Sequence, residues 1–139
     1  MKKLLIFIVL VFFSGCASVD IQKQIKEANT WKDFHKLQCN ISRDNPYYHN
    51  EYLEMLQKRR QWYIDNYNPS DNMANTIKQG RYSLGMTKNE LIASIGYPTE
   101  INRTILPSGI SEQWVYETNR YYNYKYFYFD NDILSTIQD

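Results

Sequence analysis

Apolar positions take three different spacings along the chain. Leu4 to Phe13 is an unbroken apolar run of ten residues behind Lys2 and Lys3. From Val19 to about Leu37 the spacing is helical. Ile21, Ile25 and Ala28 stand at i, i+4 and i+7, and Trp31, Phe34 and Leu37 continue the line in steps of three. Asn40 to Pro46 is polar and ends in Asn-Pro, a turn signal that places Pro46 at the start of a second helix. That helix is predicted to about Asn66, with Leu53, Leu56, Tyr63, Ile64 and Tyr67 near one face. Lys58-Arg59-Arg60 interrupts it. The triplet reads as a solvated face or, functionally, as a contact for anionic head groups. Asn68-Pro69-Ser70-Asp71 breaks the pattern and marks a boundary.

Beyond that boundary the elements shorten. A helix is predicted over Asn72 to Gln79, stopped by Gly80. Thr87 and Glu90 have capping-box spacing, and Leu91, Ile92 and Ile95 give the next helix a buried face. Gly96 ends it and Pro98 prevents its continuation. From Thr99 the period becomes two, with Ile101, Arg103 and Ile105 on one side of a strand. Pro107-Ser108-Gly109 is a turn, Glu112 to Thr118 a second strand and Tyr122 to Phe129 a third. Asn131-Asp132 suits a tight hairpin into a last strand with Ile133, Leu134 and Ile137. The fold class is α+β: N-terminal helices and a short capped helix packed on a three- or four-stranded antiparallel sheet.

The apolar run at the start is not a membrane span. Ten helical residues cover about 15 Å, half a bilayer's hydrocarbon core. Its length and basic flank are those of a secretory signal, residues 1–15. Phe13-Ser14-Gly15-Cys16 resembles the lipobox of bacterial lipoprotein signal peptides, although that family prefers Leu where Phe13 stands. The resemblance implies cleavage before Cys16, with diacylglycerol on its sulfur and an acyl chain on its nitrogen. No other cofactor is expected. Several acyl chains hold a protein on a membrane. Ala17, where Asp would signal retention in the inner membrane, implies the outer membrane of a Gram-negative host, with the body in the periplasm.

Composition narrows the function. The 139-residue chain, 43% hydrophobic and 22% charged, suits one modest globular body. Loss of Lys2 and Lys3 with the signal turns the net charge from +1 to −1, leaving no field for gripping nucleic acid. Cys39 reads as a small buried hydrophobe. The sharper alternatives are an intermolecular disulfide, or a metal site with His35 and His49 that would lack a fourth ligand. No metal is expected. Nucleophile-elbow, zinc-protease and phosphate-loop motifs are missing, so the chain reads as a non-enzyme.

Trp114 to Phe129 is the most informative segment, with nine aromatic residues in sixteen. Tyr122, Tyr124, Tyr126 and Tyr128 share one face of the third strand, while Phe127 and Phe129 share the other and read as core. Tyr combines rigid contact area with a polar tip, so the tyrosine ladder is the candidate partner-binding surface. The alternative is that the N-terminal helices cover it as a second core. The face taken by Trp114 and Tyr116 depends on register.

Gly85-Met86-Thr87 before the capped helix and Gly96-Tyr97-Pro98 after it are followed by Ile101-Asn102-Arg103-Thr104, Gln113-Trp114-Val115-Tyr116 and Tyr126-Phe127-Tyr128-Phe129-Asp130-Asn131. In that order, behind a lipobox, these motifs resemble the SmpA/OmlA (BamE-like) family. The resemblance covers roughly Ile77 to Gln138. It implies a helical pair on an antiparallel sheet and, by the family's best-understood members, a role in outer-membrane protein assembly. Residues 16–69 would be an added lipid-anchored helical extension, and 70–139 the shared domain. The expected function is a non-catalytic protein-binding lipoprotein with an envelope protein as partner, in barrel assembly or envelope integrity. The alternative is an inhibitor-like or peptidoglycan-binding module.

Overall fold

Thr30 and Asp33 decide how the N-terminal half is cut. The computed structural model, which describes residues 16–41, 45–118 and 123–139, has α1 (Cys16–Glu27) and then α2 (Trp31–Asn40). The Thr30 hydroxyl accepts from the Asp33 amide, and the Asp33 carboxylate accepts from the Thr30 amide. The single helix expected over Val19 to Leu37 is therefore two helices. Asn45 caps a short 3-10 turn, Pro46–Tyr48, that leads into α3 (His49–Tyr67). Asn68 ends α3 in the left-handed region at φ 46°. Ser70 caps α4 (Asp71–Lys78). Thr87 and Glu90 form the predicted capping box of α5 (Lys88–Ile95).

Four strands follow: β1 (Glu100–Leu106), β2 (Gly109–Glu117), β3 (Tyr124–Asp130) and β4 (Ile133–Gln138). They form one antiparallel sheet in the order β1-β2-β3-β4. Asn131 and Asp132 both take positive φ in the β3–β4 turn, as a two-residue hairpin requires. The chain is an α+β fold.

Two cores hold it. One joins Trp114, Phe127, Phe129 and Leu134 of the sheet to Tyr63 of α3, Ile77 of α4 and Leu91 and Ala93 of α5. The other belongs to the N-terminal helices alone: Ile25, Ala28, Phe34, Leu37 and Ile41 against Tyr52, Met55 and Leu56. Trp62 packs on both cores. Its ring meets Trp31 edge-on at 5.0 Å. Register puts Trp114 opposite Phe127, so the Trp114 and Tyr116 face is the core face.

Helix α3 departs from its expected face. Leu53 and Tyr67 are exposed, while Tyr52, Met55, Leu56, Arg59 and Tyr63 are buried. The basic triplet is neither a solvated face nor a head-group contact. Lys58 Nζ donates to the Ile25 carbonyl at 2.7 Å and also to that of Lys26, at the end of α1. Arg60 Nε donates to the Ser94 carbonyl at 2.9 Å, at the end of α5. Arg59 is fully buried, with Nε on the Ala93 carbonyl and Nη1 on Gln38 Oε1 at 3.0 Å. All three cations therefore meet the unpaired carbonyls and negative dipole ends of α1 and α5. Burial pulls the Arg59 pKa down to about 10, so the group stays charged at neutral pH.

Among the described residues Arg59 has no carboxylate as a hydrogen-bond partner, and its Nη2 makes no hydrogen bond. Its side-chain volume and its charge can be separated. Arg59→Met should stay within about 1 kcal/mol of wild type, because losing a partly satisfied buried charge offsets losing its hydrogen bonds. Arg59→Ala should cost about 2 kcal/mol or more through the cavity it leaves. Urea midpoints decide it: equal losses in the two variants would mean that the charge, and not the packing, holds α3 to α5.

Candidate functional site: the open face of the sheet

The helices pack on one side of the sheet, and the other side is left to the even-numbered residues of β3. Register places Tyr124 opposite Glu117, Tyr126 opposite Val115 and Tyr128 opposite Gln113. It then places Gln113 opposite Asn102 on β1, and Tyr126 and Tyr128 opposite Gln138 and Thr136 on β4. Opposed residues share a face. The N-terminal helices bury their apolar side in their own core and on Trp31 and Trp62, away from these tyrosines. Tyr124 is exposed, and Tyr126 and Tyr128 are half-buried by their neighbours. Tyr122 lies outside the described residues.

A chain of side-chain hydrogen bonds crosses all four strands here. Asn102 Nδ2 donates to Gln113 Oε1 at 3.1 Å, Gln113 Nε2 to the Tyr128 hydroxyl at 2.9 Å, and that hydroxyl to Gln138 Oε1 at 2.9 Å. It fixes the Tyr128 ring and leaves a flat, polar platform. The Tyr124 and Tyr126 rings stand 6.5 Å apart beside it. A shallow depression at one end is lined by Thr118, Asn123, Tyr124 and Tyr126, with the ion pair Lys125–Asp139 at its rim. Among the described residues this face carries the carboxylates Glu100, Glu117 and Asp130 and no Lys or Arg. The strands' two cations, Arg103 and Lys125, lie opposite Glu112 and Tyr116 on the helix side.

The buried carboxylate Glu112 was unpaired at the level of sequence. In the fold its Oε1 accepts from Arg103 Nε at 2.7 Å, and its Oε2 from Trp114 Nε1 and from Lys88 Nζ, each at 2.8 Å. Lys88 also reaches Asp132. Burial would raise the Glu112 pKa, but the bonds from Lys88, Trp114 and Arg103 outweigh it and hold the group at about 2. A carboxylate so saturated offers no proton near neutrality. It ties α5 and the β3–β4 turn to β1 and β2.

The remaining sequence candidates are dispersed. Cys16 is the first residue of α1. Cys39 is exposed and free, which corrects the expectation of a buried hydrophobe: it lies on α2 away from the buried pair Phe34 and Leu37. Its sulfur is 4.0 Å from His35 Nε2, and the His35 ring leans on Tyr97 at 4.5 Å. No group of three or more His, Cys, Asp or Glu comes together among the described residues, so His49 does not complete a site with them. No helix among those residues is long and apolar enough to cross a membrane. Compared with protein-family models, with curated proteins and with solved structures, the chain matches none. Its class is therefore set by fold and surface alone: an α+β body with one helix-covered and one open, tyrosine-bearing sheet face.

Proposed function

We propose that the chain is a non-catalytic, protein-binding envelope lipoprotein. Acyl chains on Cys16 hold it to the outer membrane, and the partner docks on the open sheet face through Tyr124, Tyr126 and Tyr128. The observation that carries this reading is the uncovered tyrosine platform, since the helices that could have covered it pack elsewhere. Large, rigid rings give contact area at low entropy cost, and the Tyr128 hydroxyl is held in place by Gln113 and Gln138. The lipobox-like Ser14-Gly15-Cys16 supports the anchor, and the resemblance of residues 77–138 to the SmpA/OmlA family supports a place in envelope or barrel assembly.

The test is photo-crosslinking in the full chain, recovered with the membrane fraction. A photo-reactive residue at Tyr124 should capture one discrete envelope protein, identified by mass spectrometry. The same residue at Lys78, on α4, should not. Tyr124→Ala should leave stability within about 0.5 kcal/mol of wild type, as expected for an exposed side chain. Equal capture from both positions, or none from Tyr124, would sink the reading.

A further inference from the structure

The two edges of the sheet are treated differently. The outer edge of β4 is covered at its start, over Ile133 and Leu134, by the chain itself. Gly85 N donates to the Leu134 carbonyl at 2.9 Å, Leu134 N donates to the Met86 carbonyl at 2.8 Å, and Thr87 bridges to Ile133. The outer edge of β1 has no such cover among the described residues, and all seven of its residues are exposed. Ile105 is 79% exposed, Ile101 50% and Ile110 44%, and register with Trp114 and Glu112 puts all three on the helix side of the sheet, at the end left uncovered. A bare, apolar strand edge is a template for another strand, and soluble proteins ordinarily blunt such edges.

We propose that β1 is an interface between two copies of this chain, pairing antiparallel so that two sheets become one. The strand's own sequence selects that occupant. With a two-fold axis at Arg103, Ile101 of one copy faces Ile105 of the other on the helix side, and Asn102 faces Thr104 on the open side. Both matches occur twice by symmetry, and Ile110 extends the apolar strip on each flank. A slip of two residues either way sets Arg103 against Ile101 or Ile105 and loses every match. The two Arg103 side chains meet at the axis as closed ion pairs and not as bare cations, because each binds Glu112 through Nε at 2.7 Å and Nη2 at 2.6 Å. Pro98 and Pro107 bound the strand and stop the pairing from running on.

The test uses the full chain in its membrane, in a Cys39→Ser background. Asn102→Cys with Thr104→Cys places two cysteines opposite each other across the axis. Mild oxidation should give a covalent dimer on a non-reducing gel, and added Ile105→Lys should cut its yield about tenfold. Thr136→Cys with Gln138→Cys, on β4, is the control for random collision. The detergent-purified Cys39→Ser chain should sediment as a dimer, and a circular-dichroism melt confirms that each variant folds. A monomeric mass, or a dimer yield no higher than the β4 control, overturns the proposal. So does crosslinking of β1 to a different protein.

Discussion

Phe127→Ala should lower the unfolding free energy by about 3–5 kcal/mol, among the larger losses a single core truncation produces. Phe127 is fully buried at the centre of β3. It lies opposite Trp114 on β2 and Ile137 on β4. Tyr82 and Tyr116 meet its ring edge-on at 5.0 and 5.2 Å. Rings held by three strands and the segment before α5 cannot collapse into the gap, so the cavity term is added to the lost transfer term. A domain of this size has about 5–15 kcal/mol in all, so the variant should still fold but melt far lower. Urea unfolding checks it: the midpoint should fall with the slope unchanged. A loss under about 1.5 kcal/mol would mean that the helical layer closes over the gap and is not fixed by packing.

The half of the chain that contains Phe127 was legible because its signals are local. Alternation along β3 separates Phe127 and Phe129 from Tyr124, Tyr126 and Tyr128, and the turn residues Asn131 and Asp132 fix where the strand reverses. The helical half misleads where long-range pairing decides. The Thr30–Asp33 cap has a readable spacing, yet the apolar line through Ala28, Trp31 and Phe34 runs on across the break. Arg59 reads as solvent-facing because sequence does not show that α5 delivers its terminal carbonyls to that point of α3. Likewise the crossing from Asn102 to Gln138 exists only once register is set, since its members come from four strands. The open face itself could be posed as one of two alternatives. Whether the N-terminal helices covered it depended on their finding a core of their own, and they do.

Glu112 should give the protein a stability that rises with pH between about 2 and 4.5, and Glu112→Gln should abolish that rise. Its carboxyl is held at about 2 in the fold against a usual 4.5, a difference worth about 3 kcal/mol. The sign follows from proton counting. Between those values the unfolded chain binds the proton and the folded chain does not, so lowering the pH favours unfolding. The contribution is complete above about 4.5 and is lost as the pH falls through the folded value near 2. At neutral pH the Gln variant should be less stable by about 3 kcal/mol, because Lys88 loses its buried counter-ion while Trp114 can keep an acceptor. Lys88 is only 19% exposed and retains Asp132, whereas Arg103, 61% exposed, can turn to water, so most of the loss should fall on Lys88. Urea titrations of both proteins at pH 7, 4 and 3 separate the cases. The curves should converge as the pH drops. Parallel curves would show that Glu112 is not the group whose protonation loosens this fold, and would shift the acid sensitivity to Asp33, whose carboxyl is held below its usual value by the Thr30 hydroxyl and the Asn29 amide.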